Sequence, residues 1–87
     1  MSLKKLTIDP GHGGRDPGAS RYIVEKEFAL KMGLELRDYL LNKYLVDIQM
    51  TRSRDVFISL NERAVQANNF GSQLFFSIHI NGGGSRL

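Results

Sequence analysis

Three short apolar stretches alternate with two stretches of helical periodicity, and this alternation restricts the possible folds more than any other feature. Lys4 to Asp9 reads as a strand with Leu6 and Ile8 on one face. Leu45 to Thr51 reads as a second, with Val46, Ile48 and Met50 alternating. Gln73 to Ile80 reads as a third, apolar on both faces through Leu74, Phe75, Phe76, Ile78 and Ile80. That is the pattern of a buried parallel strand. Glu25 to Lys43 predicts a helix, because Phe28, Met32, Leu36 and Tyr39/Leu40 recur at helical spacing and Ala29 and Gly33 widen the stripe. Glu27 and Lys31 are spaced for an i,i+4 ion pair. Ser59 and Glu62 form a capping box that opens a second helix through about Phe70, closed by Gly71. Tyr44, Phe57 and Phe70 read as core.

The order β-α-β-α-β predicts an α/β fold, a mostly parallel twisted sheet flanked by helices with right-handed crossovers. With 87 residues, no internal repeat and no linker, residues 1–87 read as a single small domain. An apolar content of 41% is too high for a disordered chain. The net charge of +3 is scattered, which suits an anionic partner such as a cell-wall polymer. It forms no basic stripe with interleaved aromatics, so nucleic acid is not expected. The absence of cysteine excludes disulfides and thiolate metal sites. No apolar run approaches the ~20 residues of a membrane span. No signal peptide is visible, because Lys4-Lys5 is not followed by an apolar segment.

Between the first strand and the first helix lies Pro10-Gly11-His12-Gly13-Gly14-Arg15-Asp16-Pro17-Gly18, a glycine-rich loop with an unusual backbone path. The chain has only two histidines, His12 in this loop and His79 at the end of the third strand. In open α/β sheets, ligands bind at the carboxyl ends of the strands. The topology brings both histidines, and Glu25 at the start of the first helix, to that edge. Two imidazoles and one carboxylate make the donor set of a catalytic zinc site, which leaves one position open. Each residue also has a simpler reading. His12 can serve as a hydrogen-bonding loop residue, His79 as a satisfied core histidine, and Glu25 as a partner of the helix dipole. Glu27 rivals Glu25 as a donor. A phosphate-binding loop is a further alternative, but no Gly-Lys-Ser/Thr and no Gly-x-Gly-x-x-Gly is present.

Taken together, Ile8-Asp9-Pro10-Gly11-His12-Gly13-Gly14, Glu25-Lys26, Thr51-Arg52-x-x-Asp55, Leu60-x-x-Arg63 with Ala67-Asn68, and Phe76-Ser77-Ile78-His79-Ile80-Asn81 form a specific combination. It resembles the zinc-dependent N-acetylmuramoyl-L-alanine amidases of the third type, found among bacterial autolysins and phage endolysins. The matching motifs span nearly the whole chain. The resemblance implies hydrolysis of the amide between N-acetylmuramic acid and L-alanine in peptidoglycan, at the bacterial cell wall. It implies zinc ligands at His12, Glu25 and His79, and it selects Glu25 over Glu27 because the family's glutamate directly precedes a lysine-like position. Arg52, Asp55 and Arg63 then line a substrate cleft or form a structural ion-pair network. Asn81 orients His79 or touches substrate. Asp9 is a hydrogen-bond partner of a liganding histidine or a turn residue before Pro10.

In one respect the sequence departs from the family pattern. The family domain is about twice this length and has a general acid–base glutamate in its C-terminal half, which no residue here matches. The reading is therefore of the N-terminal half of an amidase catalytic domain. The alternative is a zinc-binding and wall-binding fragment without catalysis. An uncovered sheet edge is expected to promote self-association.

Overall fold

The computed structural model describes residues 4–20 and 24–80. It contains β1 (Lys5–Pro10), α1 (Glu25–Lys43), β2 (Asp47–Met50), α2 (Leu60–Phe70) and β3 (Leu74–Ile78). The three strands form one parallel sheet in the order β2-β1-β3. This is the expected α/β architecture.

β1 is the central strand and holds the core. Leu6, Thr7, Ile8, Asp9 and Pro10 are all buried. Side chains alternate across a strand, so the two faces of β1 meet different partners. Ile8 and Pro10 face α1, which approaches closely because Gly33 has no side chain. A Cβ there would stand 3.0 Å from Pro10 Cγ and 3.4 Å from Ile8 Cγ2. Asp9 faces the other way, toward Arg63 of α2. The two helices therefore cover opposite faces of the sheet, and a charged residue sits in the centre of one layer.

Both helices begin and end where the sequence predicts. The capping box at Ser59 and Glu62 is formed in both directions, and Gly71 closes α2 in the left-handed conformation at φ 78°. The strands differ slightly from expectation. β2 starts only at Asp47, whose N–H bonds Lys4 O, and Leu45 before it is almost fully exposed. β3 stops at Ile78, because β1 turns away after Pro10 and Gly11 N–H makes the last ladder bond to Ile78 O.

Several expectations are corrected. β3 is not a buried strand: it lies at the sheet edge, and Leu74, Phe75 and Phe76 are each more than two-fifths exposed. Its side chains are apolar on both faces, but within the described residues α1 and α2 cover each face only partly. Tyr44 and Phe57 are exposed rather than core, and Phe70 is half-buried. Lys31 pairs with Glu35 at 3.2 Å, not with Glu27.

Candidate metal centre

The site is built at the carboxyl edge of the sheet from three segments that leave it in different directions. The first is the loop after β1. His12 adopts φ 62°, a left-handed conformation that costs a residue with a side chain. Reciprocal bonds between Gly13 and Asp16, 2.7 and 2.9 Å, close the tight turn that follows. The second segment is the first turn of α1, which carries Glu25. The third is the chain just beyond β3, which carries His79.

These three side chains converge. Oε2 of Glu25 lies 2.9 Å from His12 Nε2 and 3.1 Å from His79 Nδ1. One donor atom from each of the three lies within 4.8 Å of the others. The two imidazoles meet edge to face, with centroids 5.0 Å apart. Glu25 is 4% exposed, and both its oxygens are also bound by main chain. Ala19 N–H donates to Oε1 at 3.0 Å, and Ile80 N–H to Oε2 at 3.1 Å. Burial alone would raise the Glu25 pKa. The two backbone N–H groups, His79 and His12 outweigh it, and the carboxyl is held below its usual range. The trio thus offers an ionised carboxylate at neutral pH.

Two glycines make room for this convergence. A Cβ on Gly11 would stand 2.5 Å from His79 Cε1. A Cβ on Gly18 would stand 2.6 Å from His12 Cδ2 and 2.7 Å from Glu25 Oε1. The glycine-rich loop is therefore packed against the site rather than wrapped around an anion.

Behind the trio lies a buried polar layer. Arg63 donates to Asp9 Oδ1 at 2.8 Å, Pro10 O at 2.6 Å and His12 O at 2.7 Å. Arg52 donates to Pro10 O at 3.1 Å, Gly11 O at 2.7 Å and Lys26 O at 2.9 Å. Asp9 also accepts from Thr51 at 2.7 Å and Ser77 at 2.8 Å. Burial would raise the Asp9 pKa, but the bonds from Arg63, Thr51 and Ser77 lower it overall. Burial and the neighbouring Arg63 lower the Arg52 pKa, against the attraction of Asp55 and Asp9.

Residues 6–86 match the Amidase_3 family model, described as N-acetylmuramoyl-L-alanine amidase. The chain belongs to this family. It is 48% identical over 84 residues to the sporulation-specific N-acetylmuramoyl-L-alanine amidase of Bacillus subtilis strain 168, a match covering 94% of this chain and 33% of that protein. It is 42% identical over 79 residues to the endolysin of Bacillus phage SPP1, covering 90% of this chain and 29% of that protein. The catalytic domain of CwlV, an N-acetylmuramoyl-L-alanine amidase from Bacillus (Paenibacillus) polymyxa var. colistinus, superposes with a TM-score of 0.86 at 38% identity. That match covers 95% of this chain and 48% of the domain. The chain thus spans about a third of these curated relatives and about half of the solved amidase domain.

The donor set of this Amidase_3 family member suits a tetrahedral divalent cation. Ligands at the usual zinc distances stand about 3.3 Å apart. The two His–Glu separations are 2.9 and 3.1 Å and the three donor atoms all lie within 4.8 Å, a spacing that side-chain adjustment around one ion can meet. Glu27, the rival donor, is exposed and outside the cluster. Asp9 touches neither histidine; its partners are Arg63, Thr51 and Ser77. Arg63 both pairs with Asp9 and lines the cleft beside the trio. Arg52 spends its donors on main-chain carbonyls, and Asp55 pairs with Lys26 and Gly14 N–H rather than with an arginine. Asn81 lies outside the described residues. One contributor went unread in the sequence: Asp16, whose Oδ2 lies 2.9 Å from His12 Nδ1. Its only signal is its place four residues after His12, within a loop that no periodicity governs.

Proposed function

We propose that this chain carries the metal centre of a zinc-dependent N-acetylmuramoyl-L-alanine amidase acting on peptidoglycan at the bacterial cell wall. The observation that carries the reading is the convergence of His12, Glu25 and His79 at the carboxyl edge of the sheet. The trio opens onto a cleft of about 390 Å³ lined by His12, Asp16, Phe57, Ile58, Leu60 and His79. Phe57 and Leu60 give it an exposed apolar wall, which suits contact with part of a polymer. Among the described residues, no helix is long and apolar enough to cross a membrane.

His12, Glu25 and His79 would hold the zinc, which when bound would supply Lewis acidity for polarising a carbonyl and activating water. The chain's own residues do the rest. His12 and His79 present ring nitrogens, and Glu25 presents a carboxylate kept ionised chiefly by two main-chain N–H groups. Asp16 fixes the plane and tautomer of His12. Phe57 and Leu60 offer apolar contact to the substrate beside the reacting amide.

A second reading, metal and wall binding without hydrolysis, is favoured by one observation. The two cleft carboxylates other than Glu25 are already engaged: Asp9 with Arg63, Thr51 and Ser77, Asp16 with His12 and Gly18 N–H. General acid–base help from either would have to disturb those bonds. Such help is typically worth ~10²–10⁴-fold. Incubation with purified peptidoglycan separates the readings. New N-terminal L-alanine that disappears with a chelator establishes the amidase; wall binding without it establishes the second; no zinc uptake removes both. We also propose that the open edge of β3, apolar on both faces, drives self-association of this chain in isolation, which sedimentation at rising concentration tests.

A further inference from the structure

We infer that Arg52 and Arg63 are positioning residues, a buried clamp that sets the relative placement of the three metal donors. The inference rests on the metal-site reading above. The two guanidinium groups donate to three consecutive main-chain carbonyls: Pro10, Gly11 and His12. They thereby hold the left-handed backbone that aims His12. Arg52 Nη2 does more. It donates to Gly11 O at 2.7 Å and to Lys26 O at 2.9 Å, next in sequence to His12 and to Glu25. One nitrogen therefore fixes the spacing of two donor segments. Arg63 reaches the third through a relay: its Nη1 binds Asp9 Oδ1, while Asp9 Oδ2 accepts from Ser77, two residues before His79. All three donor segments are tied to one rigid layer from behind.

The chemistry argues for placement beyond simple packing. Two buried guanidinium groups, of which only Arg63 pairs with a buried carboxylate, are a costly way to fill space, and apolar residues of similar volume often replace buried ion pairs at no loss. What apolar residues cannot do is grip several carbonyls in a fixed planar fork. Lysine keeps the charge but has no fork, so it separates charge from geometry.

The test is zinc affinity of the 87-residue chain, measured by competition with a chromophoric chelator, with the visible ligand-field spectrum of the cobalt-substituted protein. Arg52→Lys and Arg63→Lys are compared with the parent, and cooperative melting reports folding. The clamp predicts a folded Arg52→Lys variant whose zinc affinity falls ~10–100-fold, the range typical for loss of a residue that orients metal ligands. It also predicts an altered cobalt spectrum, which a merely stabilising residue would leave unchanged. Folded lysine variants with parental affinity and spectrum overturn the clamp. Where a lysine variant does not fold, Ser77→Ala decides: it removes one hydroxyl from the relay, so a shifted cobalt spectrum supports the inference and an unchanged one overturns it. A parent chain that takes up no zinc overturns the metal-site reading itself, and the clamp with it.

Discussion

The Nδ1 atom of His12 lies 2.9 Å from Asp16 Oδ2, on the side of the ring opposite the Nε2 that faces Glu25. A proton held on Nδ1 by a carboxylate leaves the Nε2 lone pair for a metal. The bond to His12 is also what chiefly lowers the Asp16 pKa. Asp16→Asn is expected to weaken zinc binding by ~10–100-fold. Its melting temperature without metal should stay close to the parent's, because Asp16 is partly exposed and in no core. Isothermal titration with zinc, beside a melting curve in chelator, checks both halves.

Two glycines in the same left-handed region allow a controlled comparison. Gly18 has φ 70° and Gly71 has φ 78°. An alanine at either pays the conformational cost of roughly 1–2 kcal/mol. At Gly71 the added Cβ meets nothing nearer than Lys5 Nζ at 4.0 Å, whereas at Gly18 it meets both His12 and Glu25. Gly71→Ala should lower stability and leave zinc affinity unchanged. Gly18→Ala should lower both. Equal zinc affinity in the two variants would show that the loop does not pack against the donors.

Stability should fall at acid pH through Asp9. Its folded pKa lies below the unfolded value of 3.8, so its contribution is fully present above that value and is lost as pH falls through the folded one. Urea unfolding in chelator should give similar stabilities at pH 7 and 5 from this group and a marked loss near pH 3. Asp9→Asn leaves Arg63 buried without its carboxylate, and at pH 7 it should cost about 3–5 kcal/mol. That is a large part of the ~5–15 kcal/mol that holds a small domain. The gap between variant and parent should narrow near pH 3.

Metal should raise the melting temperature by mass action. At zinc a hundredfold above its Kd, the gain is about 2.7 kcal/mol. For a domain this size that corresponds to roughly 10–20 °C. His79→Ala should abolish most of the shift, and a chelator should reverse it in the parent. A shift of full size in His79→Ala would remove His79 from the ligand set.

What the sequence revealed followed from how locally each feature is determined. The bounds of α2 were legible because Ser59, Glu62 and Gly71 act within a turn of their own residues, and α1 was legible from the helical spacing of Phe28, Met32, Leu36 and Leu40. The convergence of His12, Glu25 and His79 was legible because a parallel sheet sends all its strand ends to one side. The exposure of Phe75 and Phe76 was not, because the same apolar run suits a central or an edge strand, and only the order β2-β1-β3 distinguishes them. Tyr44 and Phe57 misled for the same reason: hydrophobicity favours burial, but tertiary neighbours decide it. Asp16 was hidden because its approach to His12 depends on the φ of His12 itself. Arg63 does pair with Asp9, but Arg52 looked like an ion-pair partner because a sequence does not display main-chain carbonyls, and these are its acceptors.

The contact between Glu25 and His79 joins residues 54 positions apart. Any ion held by the trio is therefore a cross-link as well as a reagent, closing a long loop of a chain with a small core. For a covalent link, closing a loop of that size removes about 4 kcal/mol of unfolded-state entropy. An ion bound there would therefore stiffen the already folded chain at the same three segments that present its donors.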